Sequence, residues 1–265
     1  SRRKNGRFGG ILMKKKRFLK NLFIGLVLFF LYLPILVLVL YSFNTSKLNI
    51  LFEGFTLKWY RVLLENRSLL EALGNTLFVA IISTLVSTVV GTVSAIALKK
   101  YRFFGRGVLN ELLYIPIVIP EIVLGIALLS IYTFFHIELG LHTLILSHIA
   151  FSLPFVVVSV RSVLNSLDPH LEEAASDLGA SPIKTFFHIT LPAVMPGVIS
   201  GALLAFTLSL DDVVISYFTA GPGSNTLPLK IYSMIKTGIT PDVNALSSLS
   251  LLVVITILTL STVIR

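Results

Sequence analysis

Three features of the sequence predict an all-α integral membrane protein with six transmembrane helices. The 265-residue chain is 55% hydrophobic and only 13% charged, where a soluble domain carries about 25% charged residues. Its mean hydropathy is +0.89. Its apolar runs are long enough to cross a bilayer, which takes roughly 20 mostly apolar residues. One large soluble core would not require several such runs.

The segments follow in order. The first, about Leu22–Phe43, carries Pro34; it is too long for a signal-peptide core and no small-residue cleavage site follows, so it reads as a retained anchor. The second is about Ala72–Leu98 and the third about Leu112–Phe135, interrupted by Glu121. The fourth is about Leu139–Val160. The fifth, about Met195–Phe218, holds Asp211 and Asp212. The sixth is about Val243–Ile264. Residues 1–21 form a basic tail and residues 22–264 the six-helix domain. The second segment places Ser83, Ser87, Gly91 and Ala95 on one small-residue stripe, suited to close packing within the bundle or to a subunit interface.

The net charge of +9 is not a nucleic-acid signal, because nine of the 22 Lys and Arg lie within residues 1–20. Basic clusters beside apolar runs set topology. With the N-terminus inside, the tail, Lys99, Lys100, Arg102, Arg106, Arg161, Lys184 and Arg265 place 16 cations on the cytoplasmic side. Lys47, Lys58, Arg61, Arg67, Lys230 and Lys236 place six outside. The expectation is N-in and C-in. The absence of cysteine excludes disulfides.

The inner loop over residues 166–192 contains "LDPHLEEAASDLGASPIKTFFHITLP". Asp168 and Pro169 read as an N-cap and a first helical residue. Gly179 stands where a left-handed residue ends a helix, and Ser181-Pro182 restarts one. The spacing of Glu173, Ala174, Ala175, Gly179, Ile189, Leu191 and Pro192 resembles the EAA motif of ABC importer permeases. The resemblance implies the type I permease fold, with this loop docking as a coupling helix into a separate ATP-binding subunit. Glu172 and Glu173 would then supply polar contacts at the rim, and Ala174, Ala175 and Gly179 a close-packing face. The chain has no GxxxxGK[ST] phosphate loop. It is therefore expected to be a non-enzymatic subunit without its own cofactor, ATP and Mg being held by the partner. The alternative is an amphipathic helix resting on lipid.

The stretches "GFTLKWYRVLLEN", "SLDDVVISYF" and "GPGSNTLPLKIYSMIKTGITPDVNAL" resemble the C-type permease subunit of spermidine/putrescine ABC importers over nearly the whole chain. That family implies a homologous second permease, two copies of the ATPase, an external substrate-binding protein and a multi-pass location in the bacterial inner membrane.

The residues point the same way by their chemistry. A flexible polycation needs carboxylates in place of hydration and aromatic faces for its methylenes. Glu121, Asp211 and Asp212 are intramembrane acids, which mark a pathway or a paired structural charge. No Lys or Arg lies deep in the six segments, although a second permease subunit is another source of a partner. On an uninterrupted fifth helix, Asp212 would share a small polar face with Ser209, Ala205 and Ser216. Asp211 would share its own face with Thr207, Ile215 and Phe218. That assigns Asp212 to the lumen and Asp211 to a neighbouring helix, with the roles exchangeable. Tyr217 and Phe218 join the pathway candidates; Tyr114 and Tyr132 are candidate wall residues, with ordinary belt or packing roles favoured for each alone. Trp59, the only tryptophan, reads as an interfacial anchor, with a gating or substrate role as the second reading. His136, His142, His148, His170 and His188 form no metal constellation; His142 and His148 read as packing or hydrogen-bonded residues.

Two rival functions remain at this level. One is an ABC importer permease for another substrate, such as an Fe(III) complex, thiamine or an anion, the last disfavoured by the three acids. The other is a proton-coupled carrier with Asp211 and Asp212 as relay, which the EAA loop opposes. A membrane scaffold without transport has no use for buried acids.

Overall fold

The computed structural model describes the backbone of residues 2–46, 51–168, 170–237 and 241–263. Among the described residues the regular elements are helices, joined by turns and loops, with the isolated bridge Asn44↔Phe55. The chain divides into two units, Ser1–Asn66 with Lys236–Arg265, and Arg67–Ile235.

The first unit holds α1 (Arg2–Tyr41), α2 (Lys58–Glu65) and α12 (Pro241–Val263). Phe23, Phe30, Leu31 and Leu40 of α1 are exposed on different faces, as expected of a helix whose solvent is lipid. The turn between α1 and α2 is closed by polar bonds. Asn44 donates to Leu51 O at 2.7 Å and accepts from Glu53 N at 2.9 Å. Trp59 is buried and its indole N–H donates to Asn44 O at 2.6 Å. Trp59 therefore anchors this turn from within.

In the second unit, α3 (Arg67–Lys100), α6 (Leu141–Ser166) and α9 (Leu191–Asp211) pack together. Lipid offers no hydrophobic drive between helices, so close backbone approach and interhelical hydrogen bonds hold them. A methyl group on Gly91 would lie 2.8 Å from Val156 Cγ1, and one on Gly201 would lie 3.0 Å from Val156 Cα. Val156 is thus gripped from both neighbouring helices, within a cluster of Ala95, Ile96, Val157, Val160, Val194 and Ala205. The stripe Ser83, Ser87, Gly91 and Ala95 is wholly buried in this unit. Ser87 meets Ser152 Oγ at 3.1 Å and Ser83 meets Ser209 Oγ at 3.2 Å.

Among the described residues, four helical stretches are long and apolar enough to span a membrane: Arg17–Tyr41, Arg67–Lys100, Leu141–Ser166 and Pro182–Asp211. Two predicted spans differ from expectation. The third is two helices, α4 (Arg106–Val118) and α5 (Glu121–Phe134), bent by 116°. Pro120 forces Ile119 into extended backbone (φ −72°, ψ 135°) and so ends α4. Glu121 is then the first residue of a new helix and does not interrupt a continuous one.

The fifth predicted span also breaks. α9 stops at Asp211, Asp212 is extended (φ −63°, ψ 129°), and a short α10 (Val214–Thr219) follows. The helical faces expected for Asp211 and Asp212 do not continue past this point. The sixth predicted segment falls on α12, but Ile264 and several of its side chains lie outside the described residues. So do Lys47 and Arg265 of the charge count, and Pro169.

Candidate functional site

The α9–α10 break decides what each acidic side chain meets. Asp212 turns into the protein: its Oδ1 accepts from Ile215 N at 3.1 Å and its Oδ2 from Ser216 N at 2.7 Å. It therefore caps α10 across the break, a standard task for a short carboxylate at a helix start. His148 Nε2, from α6, lies 3.5 Å from the same Oδ2. Asp212 is buried, whereas Asp211 is exposed. Of the two exchangeable arrangements, the structure has Asp212 closed against its neighbours and Asp211 exposed. Ser209 is also buried, bonded to His148 and Ser83, and supports the break from behind.

Asp211 lines an open groove of about 340 Å³ with Leu210, Val213, Pro228, Ile231, Tyr232 and Ile235. Pro228, Ile231, Tyr232 and Ile235 belong to α11 (Leu227–Thr237). Tyr217 is exposed on α10, its ring 6.4 Å from Tyr232 and 5.4 Å from Phe218. Phe218 packs on α5, where a methyl group on Gly125 would come within 2.6 Å of its ring. Gly125 is one helical turn beyond Glu121. The Glu121 carboxylate is within electrostatic reach of both Asp212 and Asp211. Among the described residues, neither Asp211 nor Glu121 has a Lys or Arg within ion-pair distance. Asp211, Glu121, Tyr217 and Phe218 thus gather around α10, while Trp59 belongs to the first unit.

The segment around α10 is held by residues that sequence reasoning passed over. Thr143 of α6 donates to Thr219 O at 2.8 Å. Asn75 of α3 donates to Gly223 O and Asn225 O at 3.2 and 3.1 Å, and Thr76 accepts from Leu227 N at 2.7 Å. A methyl group on Gly221 would fall 1.8 Å from Leu139 O, so only glycine permits that approach. The available signal was polar side chains set into apolar helices, which must find partners there. Tyr132 is such a residue: it is buried and meets Ser147 Oγ at 2.9 Å, and is not a wall. Tyr114 accepts from Arg161 at 3.4 Å.

The loop over residues 166–192 has the helix–turn–helix form read from its residues. α7 (Leu171–Asp177) ends before Gly179, whose φ of 82° is left-handed. Ser181 caps α8 (Pro182–Thr185), accepting from Lys184 N. A π-helical turn, Phe186–Thr190, leads into α9. The start of α7 differs slightly: His170 is the N-cap, and Asp168 accepts its amide at 2.9 Å.

The two glutamates have separate tasks. Glu172 takes Lys100 of α3 as an ion pair at 2.5 Å and accepts from Thr190 at 2.7 Å. Partial burial opposes its ionisation, but the bonds from Lys100 and Thr190 prevail and hold its carboxyl below the usual value of 4.5. It clamps the loop internally and is not a free rim contact. Glu173 is exposed and meets His170 Nδ1 at 2.9 Å, which raises the imidazole above its ordinary 6.5. Ala175 is buried, Ala174 is exposed, and Leu178, Ile183 and Phe187 stand open to their surroundings.

Residues 87–265 match the family described as "Binding-protein-dependent transport system inner membrane component". The chain is 45% identical over 235 residues to the spermidine/putrescine transport system permease protein PotC of Escherichia coli K12, covering 89% of each. It is 42% identical over 229 residues to the putrescine transport system permease protein PotI of the same organism, covering 84% of this chain and 82% of that one. A solved chain from a bacterial ABC transporter that imports the acidic polysaccharide alginate shares the fold. Its TM-score is 0.72 at 14% identity, over 95% of both chains.

Proposed function

The chain belongs to the binding-protein-dependent transport system inner membrane components, and on that premise we propose that it is a permease subunit passing polyamines through the inner membrane. The observation that carries this reading is Asp211. It is an exposed carboxylate on a groove it shares with Tyr232, it has no Lys or Arg partner among the described residues, and it lies within electrostatic reach of Glu121.

Each ammonium group of a polyamine loses water on entering the membrane. Asp211 and Glu121 replace that hydration with fixed negative charge. Tyr217 and Tyr232 present π faces, which attract cations and cover the intervening methylenes. Asp212 acts behind them: its carboxylate is committed to α10, and its charge adds to the field at Glu121. Relatives named for spermidine and putrescine support this substrate class.

Transport is driven by a separate ATPase present in two copies, which binds ATP and Mg. The inner loop, α7 to α8, docks into it through the open apolar side chains Leu178 and Ile183 with Glu173 at the rim. Glu172 ties that loop to α3, so displacement of α7 is passed to the helix bundle. A homologous permease completes the pathway, and an external binding protein delivers the substrate. Both termini face the cytoplasm, in keeping with the Lys and Arg asymmetry.

Uptake into proteoliposomes carrying the assembled complex tests the class of mechanism. Spermidine accumulation should require ATP on the ATPase side and survive an uncoupler while ATP is maintained. Collapse of uptake with the proton gradient, at constant ATP, would transfer the acids to a proton-coupled carrier.

A further inference from the structure

His148 stands apart from the polyamine pathway and is among the most completely buried side chains of the second unit. Its ring touches both sides of the α9–α10 break. Nδ1 lies 2.6 Å from Ser209 Oγ, two residues before α9 ends. Nε2 lies 3.1 Å from Ser216 Oγ on α10 and 3.5 Å from Asp212 Oδ2 at the break itself. Asp212 already accepts two amide N–H groups, so the facing ring nitrogen, Nε2, is the one that donates. Nδ1 is left to pair with the Ser209 hydroxyl, which can donate or accept.

The surroundings complete this arrangement. Ser83 of α3 meets Ser209, and Ser152 of α6 donates to the His148 carbonyl. Every polar group around the ring thus has a partner, as buried polar networks require. The ring replaces the helix ladder that is missing between Asp211 and Val214, and it sets the direction in which α10 leaves α9. That direction decides where Tyr217 stands relative to Asp211 and leaves Asp211 uncovered.

We infer that His148 is the positioning residue of the pathway. Through Nε2 it holds Ser216 and Asp212, while Ser209 at Nδ1 steadies the ring, and so it fixes the break that presents Asp211 and Tyr217 to the transported cation. The inference rests on the polyamine-permease reading but uses only the internal geometry of this chain. His148 touches no substrate and acts through Asp211.

The test compares His148→Gln, His148→Asn and His148→Ala in the full complex, with uptake expressed per assembled complex. A Gln amide reaches the Nε2 position and retains the arm to Ser216 and Asp212. An Asn amide reaches only the Nδ1 position and retains the arm to Ser209. Gln should stay near the parental rate. Asn and Ala should lose about tenfold in maximal rate, the size expected when one buried hydrogen bond that orients a pathway group is removed. KM should hold, because the external binding protein sets it.

A merely structural histidine would lower the yield of complex and leave turnover per complex unchanged; that result overturns the inference. Equal losses in Gln and Asn overturn it as well, since the arm to α10 would then be irrelevant. If the parental complex moves no spermidine, the substrate reading fails by itself. The same ordering, Gln above Asn and Ala, is then sought in binding-protein-stimulated ATP hydrolysis, and its absence there rejects the positioning role.

Discussion

Asp211 and Asp212 are adjacent in sequence and lie on opposite sides of a helix end. Asp211 closes α9 and opens onto a groove, whereas Asp212 is 8% exposed and caps α10 through Ile215 N and Ser216 N. Two adjacent carboxylates thereby differ: one is exposed on a groove and the other holds the backbone of the break.

Asp212→Ala should therefore act on stability. Loss of a capping carboxylate costs about 0.5–2 kcal/mol, and the donor at His148 Nε2 would lose one acceptor besides. The purified complex should melt at lower temperature and assemble in lower yield. Asp212→Asn keeps an accepting oxygen and should recover most of both. Equal melting of the Ala variant and the parent would remove the capping role.

Glu121→Gln should lower polyamine uptake while leaving complex assembly unchanged, since its carboxylate makes no ion pair with Lys or Arg among the described residues. Uptake at the parental rate, measured with labelled spermidine, would remove Glu121 from the pathway.

Gly179→Val meets no neighbour within 4 Å, so the strain comes from the backbone alone, at φ 82°. A β-branched residue is disfavoured there by roughly 1–2 kcal/mol, enough to shift the end of α7. Membrane insertion should be normal and transport-coupled ATP hydrolysis reduced. Normal coupled hydrolysis in this variant would detach the loop from the ATPase.

The Lys100–Glu172–Thr190 clamp predicts a pH dependence of known sign. The folded-state pKa of Glu172 is depressed below its ordinary 4.5. Its contribution is therefore present above the unfolded value and is lost as pH falls through the folded one. Because both side chains are partly exposed, the ion pair itself is worth at most about 1 kcal/mol. A double-mutant cycle with Lys100→Met and Glu172→Gln should show coupling at pH 7 that vanishes in acid below the folded value. A coupling that grows on acidification would contradict the depressed pKa.

The apolar runs and the inner loop were legible because each rests on a local signal. Charge-free length marks a helix in lipid, and Gly179 with Ser181-Pro182 marks a stop and a start within ten residues. Pro120 was visible too, yet a proline announces a break without its angle, and the 116° turn between α4 and α5 had no local code. The fate of the two aspartates was not legible, because it depends on His148, which reaches the break from another helix more than sixty residues away. A periodic face can be drawn only while the helix continues, and here α9 stops at Asp211. Glu172 was misplaced for the same reason: its partners, Lys100 and Thr190, are distant in sequence and meet it only in the fold.

The central claim is that Asp211 faces the transported cation. It is tested most directly by ATP-driven uptake of spermidine and of putrescine into proteoliposomes bearing the complex with Asp211→Asn. Binding-protein docking and complex yield should be unchanged. Uptake of both substrates should fall, and more for the triamine, whose length engages Asp211 and Glu121 together. Parental uptake of both substrates by a fully assembled Asp211→Asn complex would contradict the claim.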